Sequence, residues 1–151
     1  VLKKIKKEDT NEKVRKTIFE LFTGFAKLYG YPKSIGEVYA LLYLHEKPLS
    51  MDEIMEELKM SKGNVSMSLR KLEEMGFVKR VWISGRRKDY FTINKRFSSF
   101  REILKRKYEL LDSACKSLEG TDFERLSQLK RMRNVCKKIM EVLEKIEGEE
   151  E

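Results

Sequence analysis

Residues 61–78 read Ser-Lys-Gly-Asn-Val-Ser-Met-Ser-Leu-Arg-Lys-Leu-Glu-Glu-Met-Gly-Phe-Val. Two side chains here have chemistry suited to reading a base edge. The Arg70 guanidinium can donate two parallel hydrogen bonds to guanine, and the Asn64 carboxamide can pair with adenine. Ser61, Lys62, Ser66 and Lys71 offer hydroxyl and ammonium donors of the kind that hold phosphate oxygens. Gly63 leaves the backbone bare, so a phosphate or a neighbouring helix can approach closely. Met67 shares the face of Gly63 and Arg70. Further along, Arg86, Arg87 and Lys88 are three consecutive cations. Such a cluster suits a narrow, electronegative minor groove or its phosphates. Any one of these cations alone is better explained as solvated surface charge; the argument rests on the set and on what places it.

The first group falls on a predicted helix. Ser61 is a good N-cap, Met60 and Val65 have the spacing of a hydrophobic staple, and Gly76 stops the helix. Val65, Leu69 and Leu72 form a narrow apolar face, with Gly63, Met67, Arg70 and Glu74 opposite. A second short helix precedes it. Ser50 and Glu53 make a capping box, Leu49 and Ile54 make a staple, and the helix runs to about Lys59. Two short helices joined by so tight a turn match a helix-turn-helix. After Gly76 the pattern becomes extended. Phe77–Ile83 and Asp89–Ile93 are rich in strand formers, and Ser84–Lys88 is a turn with a basic tip, which together predict a β-hairpin.

Upstream, residues 1–8 are Lys-rich and expected to be mobile, and a helix is expected from about Asp9 to Tyr29, ended by Gly30-Tyr31-Pro32. Another is expected from Ser34 to about Glu46, apolar on more than one side and therefore central to the core. Lys47-Pro48-Leu49 reads as a break with a short extended segment. From about Arg96 the chain is helical to its end. Phe97, Phe100, Leu104, Leu111, Ala114, Cys115 and Leu118 make one stripe, with Tyr108 beside it. Glu119-Gly120-Thr121 interrupts it, and Thr121 with Glu124 predicts another capping box. Leu129, Met132, Cys136, Ile139, Leu143 and Ile146 then alternate by three and four residues, a coiled-coil seam. Two slim helices on the order of 35 Å long do not bury such seams alone, so a second chain is the economical cover. The last four residues, from Gly148, read as a frayed acidic tail.

The fold class is thus mainly α with a small β-hairpin (α+β): a winged helix-turn-helix with long N- and C-terminal dimerisation helices. The expected domains are residues 1–30 for dimerisation, 31–95 for DNA binding, and 96–151 as a dimerising helical hairpin.

Composition agrees. Of 151 residues, 40% are hydrophobic, enough for a packed core, and the net charge of +8 favours a polyanionic partner such as double-stranded DNA. No apolar run is long enough to span a membrane. The first residues lack the apolar core of a signal peptide, so a cytoplasmic protein with no membrane partner is expected. Cys115 and Cys136 fit a reducing compartment, as free thiols in apolar seams or, alternatively, as a redox pair. His45 is the single histidine, so one chain holds neither a His-based metal site nor a Ser-His-Asp triad. No glycine-rich phosphate loop is present, and no enzyme, cofactor or metal is expected.

The stretch Leu49–Phe91 resembles the DNA-binding core of MarR-type regulators. It is especially similar to the GbsR-like branch, in the Ser-Lys-Gly-Asn-x-Ser-x-x-Leu-Arg-x-Leu helix and the Gly-x-Arg-Lys-Asp wing. The specific match covers roughly residues 36–93; the flanking helices agree in layout only. The resemblance implies a cytoplasmic homodimeric transcriptional regulator, a repressor in this reading, joined through its terminal helices. It places Ser61, Lys62, Gly63, Asn64, Ser66 and Arg70 on the groove side and makes Arg87 the wing arginine. Many such wings carry an aspartate two residues before that arginine, where this chain has Gly85, so Asp89 is expected to steady Arg87 instead. Some members of the branch respond to choline-like ligands, which implies an unidentified small-molecule effector. Tyr29, Tyr31, Tyr39, Tyr43 and Trp82 are the candidates for an aromatic cage. Packing in the core or an interface is the other explanation for those rings. The alternative function is a winged-helix docking module that binds protein and does not read DNA.

Overall fold

The computed structural model describes residues 2–95 and 98–149. Arg96 and Phe97, where the second helical region was expected to begin, lie outside them, as do Glu150 and Glu151. The chain divides into two compact units, 1–94 and 95–151.

In the first unit, α1 (Leu2–Leu28) is followed by α2 (Lys33–Leu44), β1 (Leu49–Ser50), α3 (Met51–Leu58), α4 (Lys62–Glu74), β2 (Val78–Val81) and β3 (Tyr90–Ile93). Helix α1 starts at Leu2, not near Asp9. Lys, Leu and Glu are good helix formers, so a lysine-rich start is no bar to helix. Against α1 lies α2, and Gly36 is a point of close backbone approach. A Cβ there would stand 2.5 Å from the carbonyl oxygen of Phe22 and 2.7 Å from the Cα of Thr23, so any side chain would push the helices apart.

Helix α3 opens on the expected capping box. Ser50 Oγ accepts from the Glu53 amide at 3.2 Å, and Glu53 Oε2 accepts from the Ser50 amide at 2.8 Å. Lys59 closes α3 in the left-handed region at φ 52°. Ser61 caps α4 by accepting from the Asn64 amide at 3.2 Å. These bonds satisfy amides that a helix start leaves unpaired, and Lys59 and Ser61 fix the two ends of the turn between the helices. Gly76, at φ 78°, turns the chain into the sheet, whose antiparallel order is β1-β3-β2. Leu49 pairs with Phe91 and Arg80 with Phe91 from the other side.

Val38, Leu41, Leu42, Ile54, Val65, Leu69 and Phe91 form one closed core. Ser68 is fully buried among them, its Oγ donating to Ser34 Oγ at 3.4 Å; the apolar pattern of α4 gave no sign of this polar contact with α2.

The second unit is α5 (Ser98–Leu118) packed on α6 (Leu126–Glu149). The Thr121–Glu124 capping box is not formed, and α6 starts at Leu126. Thr121 Oγ1 instead donates to the carbonyl of Leu118 at 2.6 Å, closing α5. Helix α6 also continues through Gly148 to Glu149, where a frayed tail was expected. Ion pairs tie the two helices: Arg101–Glu147 at 2.8 Å, Lys130–Glu119 at 3.2 Å and Arg133–Asp112 at 3.4 Å. The predicted seam of α6 splits in two. Leu129, Cys136 and Leu143 are half-buried, whereas Met132, Ile139 and Ile146 are exposed. With Val135 and Val142 the exposed set forms its own stripe, spaced three, four, three and four residues apart. Among the described residues no helix is long and apolar enough to cross a membrane.

Candidate nucleic-acid interface

Burial sorts the residues of α4 into two faces. Val65, Ser68, Leu69 and Leu72 point into the core. Lys62, Gly63, Met67 and Arg70 are exposed, and Asn64 and Ser66 are half-buried at the flanks. Ser61 is exposed at the cap. Nothing lies within 4 Å of a Cβ built on Gly63. Close approach by α3 is therefore not why a glycine stands there; the open backbone at a capped helix start remains, and such a start favours anions.

The cations differ in what already holds them. Arg70, Arg87 and Lys62 make no side-chain hydrogen bond or ion pair among the described residues. Lys71 stands 3.9 Å from Glu74 and 5.3 Å over the ring of Tyr31. Arg86 Nη1 donates to the Tyr90 hydroxyl at 3.3 Å. Lys88 Nζ donates to Asp52 Oδ2 at 2.6 Å, joining the hairpin to α3. That contact raises the Lys88 pKa and holds the Asp52 carboxyl below the usual aspartate range. Asp89 does not steady Arg87. It accepts from Arg80 Nη1 at 3.1 Å, while Arg80 Nε reaches both oxygens of Glu73 at 3.1 and 3.0 Å. The Glu73 bond, more than any other contact, raises the Arg80 pKa. Arg80 had no assigned role in the sequence. Its partners lie seven and nine residues away on different elements, beyond the reach of helix or strand periodicity. A hairpin placed beside a helix is the only signal that would have suggested them.

The five candidate cage residues fall in separate places. Tyr39 and Tyr43 pack on Phe22, with ring centroids 4.7 and 5.0 Å away, and Tyr39 also meets Phe77 edge-on at 5.9 Å. Burial, and then the neighbouring Tyr43, push the Tyr39 hydroxyl pKa up. Tyr29 and Tyr31 form another pair, 6.4 Å apart. Trp82 is 78% exposed and pairs with no aromatic ring among the described residues. His45 caps the end of α2, with Nδ1 2.9 Å from the Leu41 carbonyl. Cys115 is buried and Cys136 half-buried, both as free thiols. Among the described residues no group of His, Cys, Asp and Glu is arranged to hold a metal ion.

A protein-family model described as "Bacterial regulatory protein, arsR family" matches residues 37–80, from α2 into β2. The chain is 33% identical over 89 residues to the HTH-type transcriptional repressor GbsR of Bacillus subtilis (strain 168), an overlap of 59% of this chain and 49% of that protein. It is 28% identical over 67 residues to the HTH-type transcriptional repressor OpcR of the same organism, covering 44% of this chain and 36% of that one. The chain thus spans about half the length, or less, of these curated relatives. A crystal structure described as that of a transcriptional regulator superposes with a TM-score of 0.75 over 89% of this chain and 96% of the other, at 22% identity. At that identity the likeness shows the fold.

Proposed function

We propose that the chain is a MarR/GbsR-like winged helix-turn-helix regulator that binds duplex DNA sequence-specifically as a homodimer and represses transcription by occluding a promoter. One observation carries the reading. Arg70 on α4 and Arg87 on the hairpin, like Lys62 at the helix start, are exposed cations with no side-chain partner among the described residues, whereas Lys71, Arg80 and Lys88 are paired with carboxylates. In this reading α4 enters the major groove, with Arg70 and Asn64 at base edges and Met67 beside them. Ser61, Lys62, Gly63, Ser66 and Lys71 line the phosphates, and Arg86, Arg87 and Lys88 reach the minor groove or backbone. Lys71 and Lys88 must give up or share their present contacts to do so.

Self-association is supported by α6, whose exposed stripe of Met132, Val135, Ile139, Val142 and Ile146 has the spacing of a coiled-coil seam. A two-fold dimer places its α4 helices in successive major grooves, so half-sites are expected about 34–36 Å apart. The repressor sign draws on the two relatives that are named as repressors.

A titration of duplex DNA across a salt series tests the reading. Log affinity is expected to fall linearly with log salt, because phosphate contacts release counterions. Failure to retain either heparin or duplex DNA at low salt would favour a protein-docking module instead.

A further inference from the structure

Arg80 sits where α4 and the hairpin meet. On the helix side its Nε is gripped by both carboxylate oxygens of Glu73, at 3.1 and 3.0 Å. Glu73 lies three residues past Arg70, so the two are neighbours on the helix surface. On the hairpin side Arg80 Nη1 holds Asp89 at 3.1 Å, two residues after Arg87. Beneath, the guanidinium lies 5.5 Å over the ring of Phe91, its strand partner, which is 1% exposed and part of the core. A planar cation fixed from three sides is better defined than the usual single surface ion pair, which contributes little. Lys88 and Asp52 make a second clasp at 2.6 Å, from the same hairpin to α3.

Glu73 and Asp89 are negative charges at the edge of a face read above as a phosphate-binding one. If only local charge mattered, deleting either would strengthen DNA binding. The geometry gives them a different part. We propose that Arg80 is a positioning residue that locks the hairpin to α4 and so sets the spacing of Arg87 from Arg70, and that Glu73 and Asp89 are required for tight duplex binding despite their charge. This rests on the DNA-binding reading.

Duplex affinity of the full chain, followed by fluorescence anisotropy over a salt series, tests it with Glu73→Gln, Asp89→Asn, Arg80→Lys and Arg80→Ala. Each carboxylate variant is expected to bind about fivefold more weakly than wild type, although each adds one positive unit to the face. Arg80→Lys keeps the charge but loses the planar fork, and it is expected to weaken binding similarly. In all four the slope of log affinity against log salt stays at the wild-type value, since no phosphate contact is removed. The emission of Trp82, which stands in the same hairpin, is expected to change in the free Glu73→Gln protein.

The proposal is overturned if Glu73→Gln and Asp89→Asn bind as tightly as wild type or more tightly, or if Arg80→Lys binds like wild type. A slope shallower by about 0.9 in Arg80→Ala would also overturn it, by marking Arg80 as a direct phosphate ligand. Those results leave the DNA reading standing. Absence of salt-dependent binding by wild type would remove that reading, and the positioning role with it.

Discussion

In the first unit every element from α2 to β3 contributes to one interior, and Val38, Leu41, Ile54, Val65 and Leu69 are each no more than 1% exposed. In the second unit the buried apolar residues among those described are Leu104 and Cys115, and α6 contributes none. The difference follows from architecture. Three short helices and a sheet enclose a volume, whereas two helices side by side bury one stripe each and leave the rest outside. Ion pairs such as Arg101–Glu147 hold α5 on α6 without covering Met132, Val135 or Val142. The body from α2 to β3 thus encloses its own core, whereas Val14, Leu21 and Phe25 of α1 and the stripe on α6 stay exposed.

Substitutions that separate the two should behave differently. Ile54→Ala or Leu69→Ala leaves a cavity in a closed core and is expected to cost about 2–5 kcal/mol, read by urea denaturation. A loss under about 1 kcal/mol would mean that this core is loosely packed. Ile139→Glu on α6 is expected to leave the fold intact while weakening self-association about 100-fold or more, because a charge would be buried without a partner. Light scattering over a concentration series reads this. Equal masses for wild type and Ile139→Glu throughout would show that the stripe is not the contact between copies.

The smallest effect is expected from the clasp between Asp52 and Lys88. The Lys88 hydrogen bond holds the Asp52 carboxyl below its ordinary range. Its contribution is present above the unfolded aspartate value, about 3.9, and is lost as pH falls through the lower folded value. The Trp82 emission should therefore change at acid pH below about 4 and do so less in Asp52→Asn. An identical acid transition in that variant would assign the change elsewhere.

Local features were readable from sequence because their causes are local. The Ser50–Glu53 box, the Ser61 cap, the Gly76 stop and the Val65–Leu69–Leu72 face each depend on residues within a turn or two of one another. The misreadings share a cause as well. The Thr121–Glu124 pattern met the local rule, but α6 begins only at Leu126, beyond that box, and the Thr121 hydroxyl closes the end of α5 by donating to the Leu118 carbonyl. The α6 seam merged two stripes, because heptad spacing fits either side of a helix until a neighbour chooses between them. Asp89 stands two residues from Arg87 in sequence, but its ion-pair partner is Arg80, across the hairpin. Which cations stay free was not legible either: packing alone leaves Arg70 and Arg87, like Lys62, without a side-chain partner among the described residues while it pairs Arg80 and Lys88.

Selection of bound fragments from random duplexes, run in parallel with wild type and Arg70→Ala, addresses the central claim most directly. Wild type is expected to enrich a two-fold symmetric sequence with half-sites about one helical turn apart. Arg70→Ala is expected to lose one G·C preference in each half, at a cost of about 1–3 kcal/mol per contact, with the remaining positions kept. Enrichment of the same sequence by both proteins, or of none by wild type, would contradict the account.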